Sequence, residues 1–107
     1  MIPKPSYKKR KPEPVQKIKM QDEYVCWNCG NRHNLERHHA IYGTGNRQIA
    51  ERYNLVVWLC IDCHTGNNGV HFNKRLDNSL KMSAQHEFEQ IYNRETFVRE
   101  FGRNYLD

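Results

Sequence analysis

The chain has 107 residues, a formal net charge of +5 and only 37% hydrophobic residues, with a mean hydropathy of −0.98. That is room for one domain, with a core too thin to stabilise itself comfortably without help. No stretch is long and apolar enough for a transmembrane span, and the first twenty residues carry no apolar segment of a secretory leader. The expected setting is therefore soluble, reducing and cytoplasmic, with no membrane partner. The positive balance favours a polyanionic one.

Residues 1–21 contain all four prolines and the run Lys8-Lys9-Arg10-Lys11. Repeated proline and like charge oppose a packed element, so this stretch is expected to be a flexible basic arm. Such an arm either tracks a phosphate backbone or serves as a solvated tail. Residues 22–107 are expected to form the folded domain.

The domain opens with Tyr24-Val25 and the knuckle Cys26-Trp27-Asn28-Cys29, whose turn ends in Gly30. Residues 34–42 suit a short strand carrying the pair His38-His39. Turn chemistry follows at Gly43-Thr44-Gly45-Asn46. A short helix is predicted over 47–53, with Ile49, Ala50 and Tyr53 on one side. The strongest strand is 55–59, Leu-Val-Val-Trp-Leu, which is β-branched and aromatic and runs into a second knuckle, Cys60-Ile61-Asp62-Cys63, followed by His64. Residues 65–69 form a glycine- and asparagine-rich loop. Apolar residues then recur every three or four positions (Phe72, Leu76, Leu80, Ala84, Phe88, Ile91, Tyr92), the pattern of a long helix that Asp77-Asn78 is placed to break in two. A last helix around 95–101 should stop at Gly102. His33 and His86 belong to no motif and are expected on the surface.

All four cysteines lie in the two knuckles. Two-residue spacing suits one tetrahedral zinc better than two disulfides, and the binding free energy of that zinc would support the thin core. The histidines are then free for a second, open metal site. Hydrolysis of a phosphodiester needs an activated water, a cation to offset charge at phosphorus and help for the departing oxygen. A neutral imidazole and one divalent ion supply these. Adjacent residues on a strand face opposite sides, so His38 and His39 should do different jobs.

The run Cys-x-x-Cys, then Arg37-His38-His39-Ala40-Ile41, then Leu55 through Cys63-His64 resembles HNH nucleases. It is similar in particular to short HNH-like proteins of bacteriophages and prophages. The resemblance covers about residues 24–76. It implies an α+β fold of the ββα-metal type, stapled by zinc between the knuckles and extended by C-terminal helices. It also implies a phage-encoded, metal-dependent DNA endonuclease working in a bacterial host. By this resemblance His38 is a metal ligand, His39 the general base and His64 a ligand at the helix start. His71 could replace His64 or join it. Asn54 is the candidate for the family's asparagine that orients the base-bearing loop. The cofactors implied are structural Zn²⁺ on Cys26, Cys29, Cys60 and Cys63, and Mg²⁺ or another divalent cation on the histidines. Arg37, Arg47, Lys74 and Arg75 are candidate DNA contacts, the last two opening a helix over the minor groove.

Two other zinc chemistries are set aside. A deaminase needs His-x-Glu before Pro-Cys-x-x-Cys, and a metalloprotease needs His-Glu-x-x-His, which His86-Glu87 does not complete. The remaining rival is a non-catalytic, zinc-stapled module that binds DNA or inhibits a phage or host protein. Such a module has no need of His-His on a strand.

Overall fold

A computed structural model describes residues 16–106 as a small α+β unit. Strands β1 (Leu35–His39) and β2 (Val56–Cys60) form a two-stranded antiparallel sheet, with Leu35 opposite Cys60 and His38 opposite Val57. Helix α1 (Asn46–Tyr53) fills the connection between them. Helix α2 (Ile61–His64) follows β2 without a break, and α3 (Lys74–Ile91) and α4 (Arg94–Phe101) complete the order. Among the described residues no helix is long and apolar enough to cross a membrane.

Local chemistry sets these boundaries. Asn54 adopts a left-handed conformation (φ 64°) and ends α1, its backbone N–H bonding to the carbonyls of Ala50 and Glu51. Asn73 and Asn93 cap α3 and α4, each side chain accepting from the N–H three residues on, Leu76 at 3.1 Å and Thr96 at 2.7 Å. Gly102, at φ 77°, stops α4 as the sequence predicts.

The core joins one face of the sheet to the helices. Val57 and Leu59 of β2 are buried with Ala40, Ile41, Leu55, Leu80, Ala84, Phe88, Phe97 and Phe101. Phe88 is its hub, with ring centroids 4.9 Å from Tyr53 and 5.3 Å from Phe97.

Three expectations are corrected. The predicted break at Asp77-Asn78 does not occur, because Asp77 is buried and pairs with Lys81 one turn on at 2.8 Å, so α3 runs through. Phe72, counted in the helical pattern, precedes α3 and is 72% exposed. The packed body also starts before residue 22. Ile18 is 2% exposed and its N–H donates to the Tyr53 carbonyl at 2.8 Å. The Asn54 side chain donates to the Ile18 carbonyl at 2.7 Å, and Gln21 Oε1 accepts from the Trp58 N–H at 2.7 Å. The reason is that β2 and the end of α1 leave backbone groups open, and residues 16–21 satisfy them. The rest of the expected arm, residues 1–15, lies outside the described residues.

Candidate metal centre and histidine cleft

The two knuckles meet because the first is tied to β2: the Trp27 N–H donates to the Trp58 carbonyl at 2.7 Å, two residues before Cys60. The turn closes with Gly30 N–H on the Cys26 carbonyl at 2.9 Å, and Gly30 takes the positive φ of 82° this needs. The four sulfurs lie within 4.8 Å of one another, and none is in a disulfide. Zn–S bonds of about 2.3 Å in a tetrahedron place sulfurs about 3.8 Å apart. The Cys29 and Cys60 sulfurs are 3.7 Å apart. Asn28 Nδ2 donates to Cys63 Sγ at 3.3 Å, a contact that favours the thiolate. Burial pushes the Cys26 thiol up, but hydrogen bonds with the backbone of Cys60, Cys29 and Asn28 outweigh it and bring it down to about 7. Burial and the neighbouring thiols push Cys63 up to about 12. The donor set fits a structural zinc.

The second cluster is built from three elements. His38 lies on β1, His64 ends α2 and His71 sits in the loop before α3; their ring nitrogens fall within 4.8 Å of one another. The loop returns over α2 through Val70, whose N–H donates to the Cys63 carbonyl at 2.9 Å. Gly69 makes this possible, since a Cβ there would stand 2.7 Å from the His64 carbonyl carbon and oxygen. Helix α3 starts after His71, so helical spacing between His64 and His71 does not matter: the return of the loop brings both in.

The donor chemistry of this cluster fits a cation. His64 Nε2 and His71 Nε2 are 3.3 Å apart. Glu36 Oε1 is 2.7 Å from His64 Nδ1. A carboxylate only accepts, so Nδ1 carries a proton, and Nε2 is the nitrogen that faces His71. His38 is 5% exposed and its Nε2 is buried with no hydrogen-bond partner. Such an orphaned nitrogen is costly without a ligand. Burial, and then the charge His64 and His71 would carry, push His38 down to about 4, keeping it neutral and able to ligate.

His39 occupies the opposite face of β1 and still lines the same open cleft of about 360 Å³ as His38, His64 and His71, because the strand ends at this residue. Its Nε2 is 2.8 Å from Glu51 Oε1 on α1. Arg37, on His39's face of β1, grips the same carboxylate with both terminal nitrogens, at 2.6 Å and 3.0 Å. The Arg37 guanidinium, with His39 adding to it, holds the Glu51 carboxyl down at about 2.

The other predicted site residues divide plainly. Arg47 lines the cleft, as does Tyr42, which belongs to no sequence motif. Arg37 is at the cleft too, but its guanidinium is engaged by Glu51. Asn54 is not brought to the histidines. Its side chain is spent on Ile18, and it lines a separate cleft with Trp58 and Val56. Lys74 and Arg75 are exposed at the start of α3, and Arg75 lines a third cleft with Trp27 and Asn28. His33 and His86 are exposed. Glu36 and Glu51 were missed. Glu36 had a signal, since it lies two residues before His38 and so on the same face. Glu51 had none.

Comparison with protein-family models, with curated proteins and with solved structures found no match to this chain.

Proposed function

We propose that the chain is a metal-dependent endonuclease of the HNH type that hydrolyses phosphodiester bonds in DNA. The observation that carries this reading is the convergence of His38, His64 and His71 on one cleft that His39 also lines, beside a separate four-thiol cluster. A closed sulfur site gives stability, whereas an imidazole site open to solvent leaves positions for water and a substrate oxygen.

In this reading His38, His64 and His71 hold one divalent cation, with Glu36 fixing the orientation of His64. That cation would offset charge on the scissile phosphate and assist the departing oxygen. His39 takes the proton of the attacking water as general base. Arg47, on the rim of the cleft, pairs with a flanking phosphate. The four cysteines bind structural zinc and do no chemistry.

The test is a cleavage panel on plasmid, single-stranded and branched DNA with Mg²⁺, Mn²⁺ or Ni²⁺. Cleavage is expected with at least one cation. His39→Ala should lose about 10²- to 10⁴-fold in rate while keeping zinc content and fold. No cleavage across the panel would replace this reading with the non-catalytic zinc-stapled module. Full activity in His39→Ala would remove His39 from the chemistry.

A further inference from the structure

Helix α1 follows β1 in the chain and brings one acidic side chain, Glu51, to His39. Glu51 Oε1 is 2.8 Å from His39 Nε2, and the same carboxylate receives Arg37 Nη1 at 2.6 Å and Nη2 at 3.0 Å. A carboxylate offers only lone pairs, so the hydrogen between it and the ring belongs to Nε2. A neutral imidazole carrying its proton on Nε2 has its one free lone pair on Nδ1.

We infer that Glu51 is a positioning residue for His39: it holds the proton on Nε2, fixes the ring, and so makes Nδ1 the nitrogen that acts as base. This rests on the reading of His39 as the general base. The water proton goes to Nδ1 as the water oxygen bonds to phosphorus and the bond to the departing oxygen breaks. The resulting imidazolium carries a proton on each nitrogen, and its charge faces the Glu51 carboxylate.

Arg37 has a defined part in this arrangement. Its two-pronged grip occupies both carboxylate oxygens, so Glu51 cannot rotate away from His39 without breaking two charge-assisted hydrogen bonds. Arg37 also keeps Glu51 ionised, the carboxyl being held at about 2. A protonated carboxyl could donate to Nε2 and favour the wrong tautomer. Arg37 lies two residues before His39 on β1, so the strand repeat puts both side chains on one face, where α1 brings a single acid to meet them. Arg37 therefore acts on DNA through Glu51 and His39 rather than through a phosphate.

The experiment reads the tautomer and the turnover separately. In zinc-loaded protein labelled with ¹⁵N-histidine, two-bond ¹H–¹⁵N correlation should show His39 as the Nε2–H tautomer. In Glu51→Gln the amide can donate, and the Nδ1–H tautomer should appear. The cleavage kcat of Glu51→Gln should fall about 10²-fold with KM unchanged, and Glu51→Asp should recover part of it. Glu51 is half exposed, so the variants should fold, which zinc content and circular dichroism check. An Nδ1–H tautomer in the wild type overturns the inference, even if the variants fail to fold. So does a wild-type kcat in Glu51→Gln. A wild-type protein that cuts no DNA overturns the proposed function instead, and the tautomer measurement alone then decides whether Glu51 sets the state of His39.

Discussion

Removing zinc by chelation is expected to unfold the domain, and Cys63→Ser, which removes one of four ligands, to destabilise it. A domain of this size has a net stability of only about 5–15 kcal/mol. A structural zinc on thiolates contributes about 10–16 kcal/mol of coupled binding and folding free energy. The fold therefore has little or no margin without it. One sulfur ligand of four carries, on an even share, about 3–4 kcal/mol of that total. At about 4–8 °C per kcal/mol for a domain of this length, Cys63→Ser should lower Tm by about 12–32 °C. The geometry explains why the loss spreads. Cys60 pairs with Leu35 at one end of the sheet, Trp27 is tied to Trp58, and His64 directly follows Cys63. Releasing the sulfurs thus frees both knuckles, the end of β2 and one member of the histidine cluster together. Cys26 and Cys60 would also remain in the core, 1% and 2% exposed, without the partner that balances their polarity. The assay is circular dichroism at 222 nm with thermal melts during chelator titration, with zinc counted by mass spectrometry. A protein shown to be zinc-free that keeps its full helical signal and its melting temperature would refute the reasoning.

Three further outcomes follow from the donor chemistry. The histidine cluster offers three imidazoles and no carboxylate, so calorimetric titration of the zinc-loaded protein should rank Ni²⁺, Co²⁺ or Zn²⁺ well above Mg²⁺ at this second site. Glu36→Gln should weaken that binding by about 10- to 100-fold without changing the zinc held by the cysteines; equal affinity in the variant would separate Glu36 from the site. Zinc offered to the four cysteines should bind more tightly as pH rises, because a thiol must lose its proton to ligate. Cys63, pushed up to about 12 in the metal-free protein, is protonated at neutral pH and releases at least one proton on binding. Chelator competition should therefore show affinity rising at least about tenfold per pH unit between pH 6.5 and 7.5, and a pH-independent affinity would contradict it.

Much of this arrangement was legible as local pattern. The knuckles, the β-branched strand before Cys60, the turn at Gly43–Gly45 and the stop at Gly102 each follow from backbone preferences of a few adjacent residues. The opposite facing of His38 and His39 follows from the two-residue strand repeat. The failures share a cause as well. Asp77 reads as a helix breaker until Lys81 is seen one turn away, paired with it. Phe72 fits the helical spacing but falls before the cap at Asn73. Asn54 sits at a motif-like position, yet the incoming segment at Ile18 takes its amide.

The sequence by itself determined which atoms are available: four thiols in two pairs, an imidazole pair on a strand, and a third imidazole next to the second knuckle. Only the tertiary structure decided which of them meet. It added His71 to His38 and His64 through a loop that Gly69 allows to double back, and it gave His39 and Arg37 a shared partner in Glu51. The physical reason is that local steric preferences and side-chain periodicity act over a few residues. Contacts between residues 12 or 28 apart, such as His39 with Glu51 and Glu36 with His64, are set by how the helices and loops pack onto the sheet.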